Sequence, residues 1–297
     1  MRILSLRAVL FAALSLLCAS PLYAQSLYLP SQAMPVPVGT APPWLEGWIG
    51  GGVQNNWQGG WAGVNYAFNH NVWSEGLLLR AEGGGGHYDY TNTAIINGSQ
   101  VGFVNVDYGT GALLLGWRHV LPGVGINTLI TGYVGAEVQN HNNPDPTAAV
   151  KGTQWGAKFI GEVYSRLSQY QDFFGQASFS FAFDTWQVVA RPGFLLPTMV
   201  PGTDVWIGPD MQVFGIGQGW LVNANSCPNA AFNTITTGGI GSCKYDEGKI
   251  GGFLHIVMPN LPLYGDWLIA GGYRKPLLAN GGPDGYYAQI NMSFRFQ

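Results

Sequence analysis

GYYAQINMSFRFQ, residues 285–297, is the stretch whose reading decides the fold. Tyr286, Ala288, Ile290, Met292, Phe294 and Phe296 fall on one side of an extended chain, and Tyr287, Gln289, Asn291, Ser293, Arg295 and Gln297 on the other. A period of two is that of a β-strand with one apolar face and one wet face. Strands of soluble sandwiches alternate too, but seldom for so long and with aromatic residues near both ends. The stretch reads as the closing strand of a transmembrane barrel.

The rest of the chain carries the same signature. Its 297 residues include 44 glycines, 11 tryptophans, 14 tyrosines and 15 phenylalanines, yet only 10% are charged, against about 25% in an ordinary soluble domain. Beyond the N-terminal leader no unbroken apolar run reaches the ~20 residues that a spanning helix requires. Low charge without a membrane helix leaves strands that face lipid. A net charge of −3 lacks the basic stripe of a nucleic-acid binder, so no nucleic-acid partner is expected.

Three regions follow. Residues 1–24 place Arg2 and Arg7 ahead of an apolar run that ends near Ala19, with Pro21 and a small residue at Ala24, as in a secretory signal peptide; Cys18 leaves with it. Residues 25–43 hold five prolines and no periodicity, and read as an extended periplasmic lead. Residues 44–297 contain about twelve strand-like segments, an even number as single-chain bacterial barrels require: 45–54, 58–68, 75–90, 102–119, 126–140, 153–166, 173–183, 186–196, 204–215, 249–258, 266–275 and 285–296. The expected fold is all-β, an antiparallel outer-membrane barrel with short periplasmic turns and long external loops.

In 153–166, Trp155, Ala157, Phe159, Gly161 and Val163 alternate with a set that includes Lys158, Glu162 and Arg166, which is wet only if it faces the lumen. In 173–183, Phe173, Phe179, Phe181 and Phe183 form a stripe expected to face lipid. Probable inward charges by the same alternation are Arg80, Glu82, Asp107, Glu137, Asp184, Arg191, Asp210, Lys249, Arg274 and Arg295. They form either a self-neutralising lattice that fills the lumen or the lining of a selective pore. Tyr133, Tyr164, Trp206, Phe253 and Tyr287 share that side, where they stack on sugar rings or fill space. Cys227 and Cys243 lie in the longest loop, residues 216–248, and in an oxidising periplasm most simply pair with each other.

The segment 75–90, EGLLLRAEGGGGHYDY, invites a phosphate-loop reading, but no helix and no Lys-Ser/Thr follows; strand glycines more often mark bends or close approach. Of the five histidines, His255 is the one that looks most lumen-facing. None sits in a Ser/His or paired-acid motif, so no catalytic residue, metal ligand or cofactor is expected.

The ordered set GLLLRAEGGGGHYDY (76–90), WIGPDMQV (206–213), KIGGF (249–253), GGYR (271–274) and YYAQINMSFRF (286–296) resembles the cellulose biosynthesis protein BcsS family of Gram-negative bacteria. The resemblance implies an exported outer-membrane barrel accessory to cellulose production and biofilm formation, without the polymerising glycosyltransferase. Its implied partners are outer-membrane lipid and the glucan chain or components of the synthase complex. The matching positions to test are Arg80, Tyr88, Tyr90, Gly208, Pro209, Asp210 and Arg274, with Glu82 beside Arg80 on the lumen face. Gly208-Pro209 within a strand predicts a bulge or kink, because proline donates nothing to the ladder. The Cys227–Cys243 insertion departs from the family pattern. A solute or oligosaccharide porin and a lipid- or polysaccharide-modifying enzyme are the alternative functions.

Overall fold

The structure, a computed structural model, describes residues 42–91, 95–96, 99–100, 103–124, 127–145, 148, 150–197, 203–216, 245–258, 264–276 and 284–296. The leader, most of the lead, Cys227 and Cys243 lie outside these residues. Fourteen strands run in chain order: β1 Leu45–Gln54, β2 Trp57–Ala67, β3 Gly76–Thr91, β4 Ile95–Ile96, β5 Ser99–Gln100, β6 Phe103–Leu121, β7 Asn127–Asn142, β8 Gly152–Ser168, β9 Gln171–Ser180, β10 Thr185–Leu196, β11 Asp204–Ile216, β12 Tyr245–Met258, β13 Tyr264–Pro276 and β14 Gly285–Phe296. All but the β4–β5 ribbon form one closed barrel, each strand antiparallel to its chain neighbours. The seam pairs β1 with β14, from Leu45↔Phe296 to Gln54↔Tyr287. This is the twelve-stranded barrel expected, with strand ends shifted by a few residues.

Burial is inverted relative to a soluble protein. Along β14 the polar positions are buried while Tyr286, Ala288 and Ile290 are exposed. Trp155 is 74% exposed and Arg80 0%. An apolar outer wall with a polar interior satisfies both solvents only when the outer one is lipid.

Glycines shape the β1–β2–β3 wall on both sides. Inside, indoles lie flat against it: a Cβ on Gly63 would stand 2.2 Å from the Trp48 ring, and one on Gly50 2.5 Å from Trp61. Outside, Gly51, Gly60, Gly85 and Gly109 fall in one row across β1, β2, β3 and β6. The glycine run of β3 is therefore wall, not a phosphate loop.

Three expectations need correction. The phenylalanine stripe does not continue to 183: β9 stops at Ser180, and Phe183 (φ 58°) and Asp184 (φ 48°) make a tight turn. That turn reverses the alternation, so Phe183 folds inward, 2% exposed, and Asp184 sits in the turn rather than on a lumen face. Asp107 faces outward, where its carboxylate meets His87 at 3.0 Å. It follows the alternation of Leu113 and Trp117, which are exposed on the same strand.

Pro209 has a counterpart. It stands opposite Pro192 of β10, and the β10–β11 pairing is missing at three positions, between Ala190↔Met211 and Phe194↔Ile207. The register is the same on both sides of the gap, so no residue is inserted and the feature is an opened ladder, not a bulge. Pairing of β10 with β9 and of β11 with β12 is continuous. Gly208 is needed there because a Cβ would stand 1.9 Å from the Pro192 carbonyl oxygen.

Candidate functional site in the lumen

Inward alternation on β3, β7 and β8 brings five charges into one chain of alternating sign. Arg80 donates to Glu82 and to Glu162, both at 2.6 Å. Lys158 Nζ lies 2.9 Å from Glu82 and 2.5 Å from Glu137. Gln176 and Thr110 donate to the outer carboxylates, Glu162 and Glu137. The Arg80 guanidinium is also 5.1 Å from the ring centroids of Trp48 and Tyr133, so the cluster reaches from β1 to β8. With exposures of 0–6%, these ions are stabilised by one another and by neighbouring dipoles.

Two further clusters lie on the opposite wall and toward the outer end. Arg191 pairs with Asp210 at 2.5 Å, across the gap that the two prolines leave, and Gln212 and Tyr287 each donate to Asp210 at 2.7 Å. Where backbone rungs are missing, this ion pair ties β10 to β11. Glu247 holds Arg274 at 2.6 Å and Lys249 at 3.0 Å. Lys249 also reaches across the lumen, 5.9 Å from the Trp57 ring and 5.7 Å from that of Tyr287.

The end of the barrel at which β1 begins is covered by a turn. Residues 68–75 fold back so that Trp73 packs against three apolar clusters, centred on Phe253, Leu114 and Tyr164. Arg295 lies 5.1 Å over the Trp73 ring and binds Glu46 and Asp266 at 3.1 and 3.0 Å. The turn is fastened by Val72 N–H to the Pro43 carbonyl at 2.9 Å and by Arg118 to the Val72 carbonyl. His255, buried as its alternation implies, stands 3.6 Å from Asp266. Nearby, Asp172 is 1% exposed and lies against Gly193, with neither oxygen in a hydrogen bond of ordinary geometry.

The positions singled out from the sequence do not form one site. Arg80 and Glu82 belong to the first cluster, Asp210 to the second and Arg274 to the third. Tyr88 is at the outer end, its hydroxyl 3.3 Å from His141 Nδ1. Tyr90 pairs with Val104 through the backbone, and its side chain is outside the described residues. Sequence reading missed Trp73, Phe183, His141 and Pro192. The apolar pair Val72-Trp73 in a short connection between strands was the available signal for the first. Among the described residues, no three His, Cys, Asp or Glu side chains converge as a metal would require.

A closed antiparallel cylinder, apolar outside and ion-paired inside, defines the class: a transmembrane β-barrel whose lumen is filled by its own side chains. The chain belongs to the cellulose biosynthesis protein BcsS family, whose sequence model matches residues 48–218, more than half of its length. Comparison with curated proteins finds no match. Solved structures that superpose on the chain include LpxR from Salmonella typhimurium, at 10% identity over 84% of this chain and 100% of that one, TM-score 0.49. Others are the KdgM porin, at 7% over 85% and 99%, TM-score 0.40, and the outer membrane protein OprD from Pseudomonas aeruginosa, at 11% over 85% and 93%, TM-score 0.30.

Proposed function

We propose that this protein is an exported outer-membrane accessory of cellulose biosynthesis that acts as a closed barrel, through its ends and walls, and does not conduct the glucan through its lumen. Membership of the family supplies the link to cellulose. The observation that carries the rest is that lumen-facing side chains are buried against one another and bonded between strands that are not neighbours in the wall. Gln54 of β1 donates to Glu247 of β12, Tyr287 of β14 to Asp210 of β11, and Gln139 of β7 to Thr185 of β10. A glucan would have to break several buried ion pairs to pass, and removing one partner of such a pair costs about 3–5 kcal/mol. A porin would instead keep a water-filled channel.

The test is cellulose in a deletion strain, measured separately in the periplasm and outside the cell. Loss from both pools is expected of an assembly partner. Accumulation inside with loss outside would make the barrel a conduit, and no change in either pool would remove the cellulose role. The purified protein in planar bilayers should show no stable ohmic steps; stable channels would favour the porin reading.

A further inference from the structure

The outer end of the lumen differs from the lattice below it. Gln54, Trp57 and Tyr88 point inward yet are only partly buried, whereas the charges beneath them are 0–8% exposed. Their inward direction is fixed by their contacts: Gln54 with Glu247, Trp57 with Tyr108, Tyr88 with His141. The result is a cup, walled on one side by Gly52 and Gly59. The Trp57 indole lies along these two glycines, 3.2 and 2.8 Å from where their Cβ atoms would be. Its other face looks across the lumen toward Lys249.

Beside this platform stands Gln289, next to Gly52 in the β1–β14 register. It is 5% exposed, and neither its Nε2 nor its Oε1 has a hydrogen-bond partner among the described residues. Leaving a buried carboxamide wholly unpaired is costly, so the site calls for a ligand or water with both donors and acceptors. His141 Nε2, at the far side of the cup, is likewise buried and unpartnered. The charges at the cup are engaged with one another, Glu247 with Arg274 and Lys249, so a neutral ligand disturbs them least. An aromatic face with an unpaired amide at its edge suits a pyranose that displaces the Lys249 ammonium from the indole: its C–H face then lies on the ring and adjacent hydroxyls meet the amide oxygen and nitrogen.

We infer that the outer end of the lumen is a binding cup for the end of a neutral glucan chain, with Trp57 as the stacking platform and Gln289 as the group that reads hydroxyls. The identity of the sugar as glucan rests on the cellulose reading above; the preference for a neutral saccharide rests on the cup. Such a cup holds a chain end at the cell surface without passing it through the barrel.

The full-length protein, folded in micelles of a detergent whose headgroup carries no sugar, is titrated with cellohexaose by calorimetry. Saturable binding is expected, weakened at least about tenfold in both Trp57→Leu and Gln289→Leu, as loss of one well-made contact brings. Urea midpoints establish that each variant is folded. If Trp57→Leu does not fold, Gln289→Leu, which nearly preserves volume, carries the test alone. No cellohexaose binding by the folded wild type, or binding that Gln289→Leu leaves unchanged, overturns the cup and makes Gln289 a hydrated side chain. The two readings fail separately. A deletion that lowers cellulose while the protein ignores cellohexaose sinks the cup alone; cellohexaose binding with unchanged cellulose sinks the cellulose role and keeps the cup.

Discussion

Arg80→Leu should cost the barrel about 3–5 kcal/mol, enough to shift its urea midpoint in vesicles far below that of wild type. Arg80 is wholly buried and contacts Glu82 and Glu162 at 2.6 Å. Leucine removes the cation and leaves Glu162 with Gln176 as its hydrogen-bond donor. Lys158 remains for Glu82 and Glu137, so Glu162 is the carboxylate that loses its bonded cation. A buried charge stripped of its partner is penalised more than the pair was ever worth. The double variant Arg80→Leu/Glu162→Gln removes the stranded charge and should recover a large part of the loss. A single variant within about 1 kcal/mol of wild type, the level of an exposed pair, would mean that water reaches the cluster and that the lumen is not filled.

Asp210→Ala is the second large effect, for a different reason. Asp210 takes Arg191 at 2.5 Å and accepts from Gln212 and Tyr287, and it does so where β10 and β11 have no rungs. The substitution strands a fully buried guanidinium and unties the two strands together. About 3–5 kcal/mol is expected from the charge alone. The distinguishing readout is local: amide exchange should rise first along β10 and β11, before the seam of β1 with β14 responds. Uniform exchange around the barrel would show that the ion pair is not what holds that stretch. Asp210→Asn keeps the acceptor for Gln212 and Tyr287 and should fall between the two.

The strands and their faces were legible because a two-sided environment writes itself into alternation, as in β14, where every second residue from Tyr287 to Arg295 is buried. Most lumen charges were legible for the same reason, down to His255, but Asp107 and Asp184 were not. Partnership was not. Arg80 and Glu162 are 82 residues apart, and nothing local tells which inward carboxylate an inward arginine will meet. The pairing of Pro192 with Pro209 depends on the register of two strands, which neither strand specifies alone. Turns were the other blind spot: two positive-φ residues in succession sent Phe183 inward, and an apolar pair in a connecting turn came to pack over one end of the lumen. The family resemblance pointed to Arg80, Asp210 and Arg274, and each proved to anchor a different ion cluster rather than one shared site.

The row formed by Gly51, Gly60, Gly85 and Gly109 has a bearing on the surroundings of the barrel rather than on its interior. With Ala62, Gly83 and Gly111 in the adjacent row, it leaves a patch of outer wall with no side chain larger than a methyl, while Ile49, Val53 and Leu113 stand proud around it. Seen from the bilayer, then, the molecule is not round but dented, by about the depth of one side chain. A dented body has a compass direction: the barrel offers the bilayer a different surface along that meridian than on its far side.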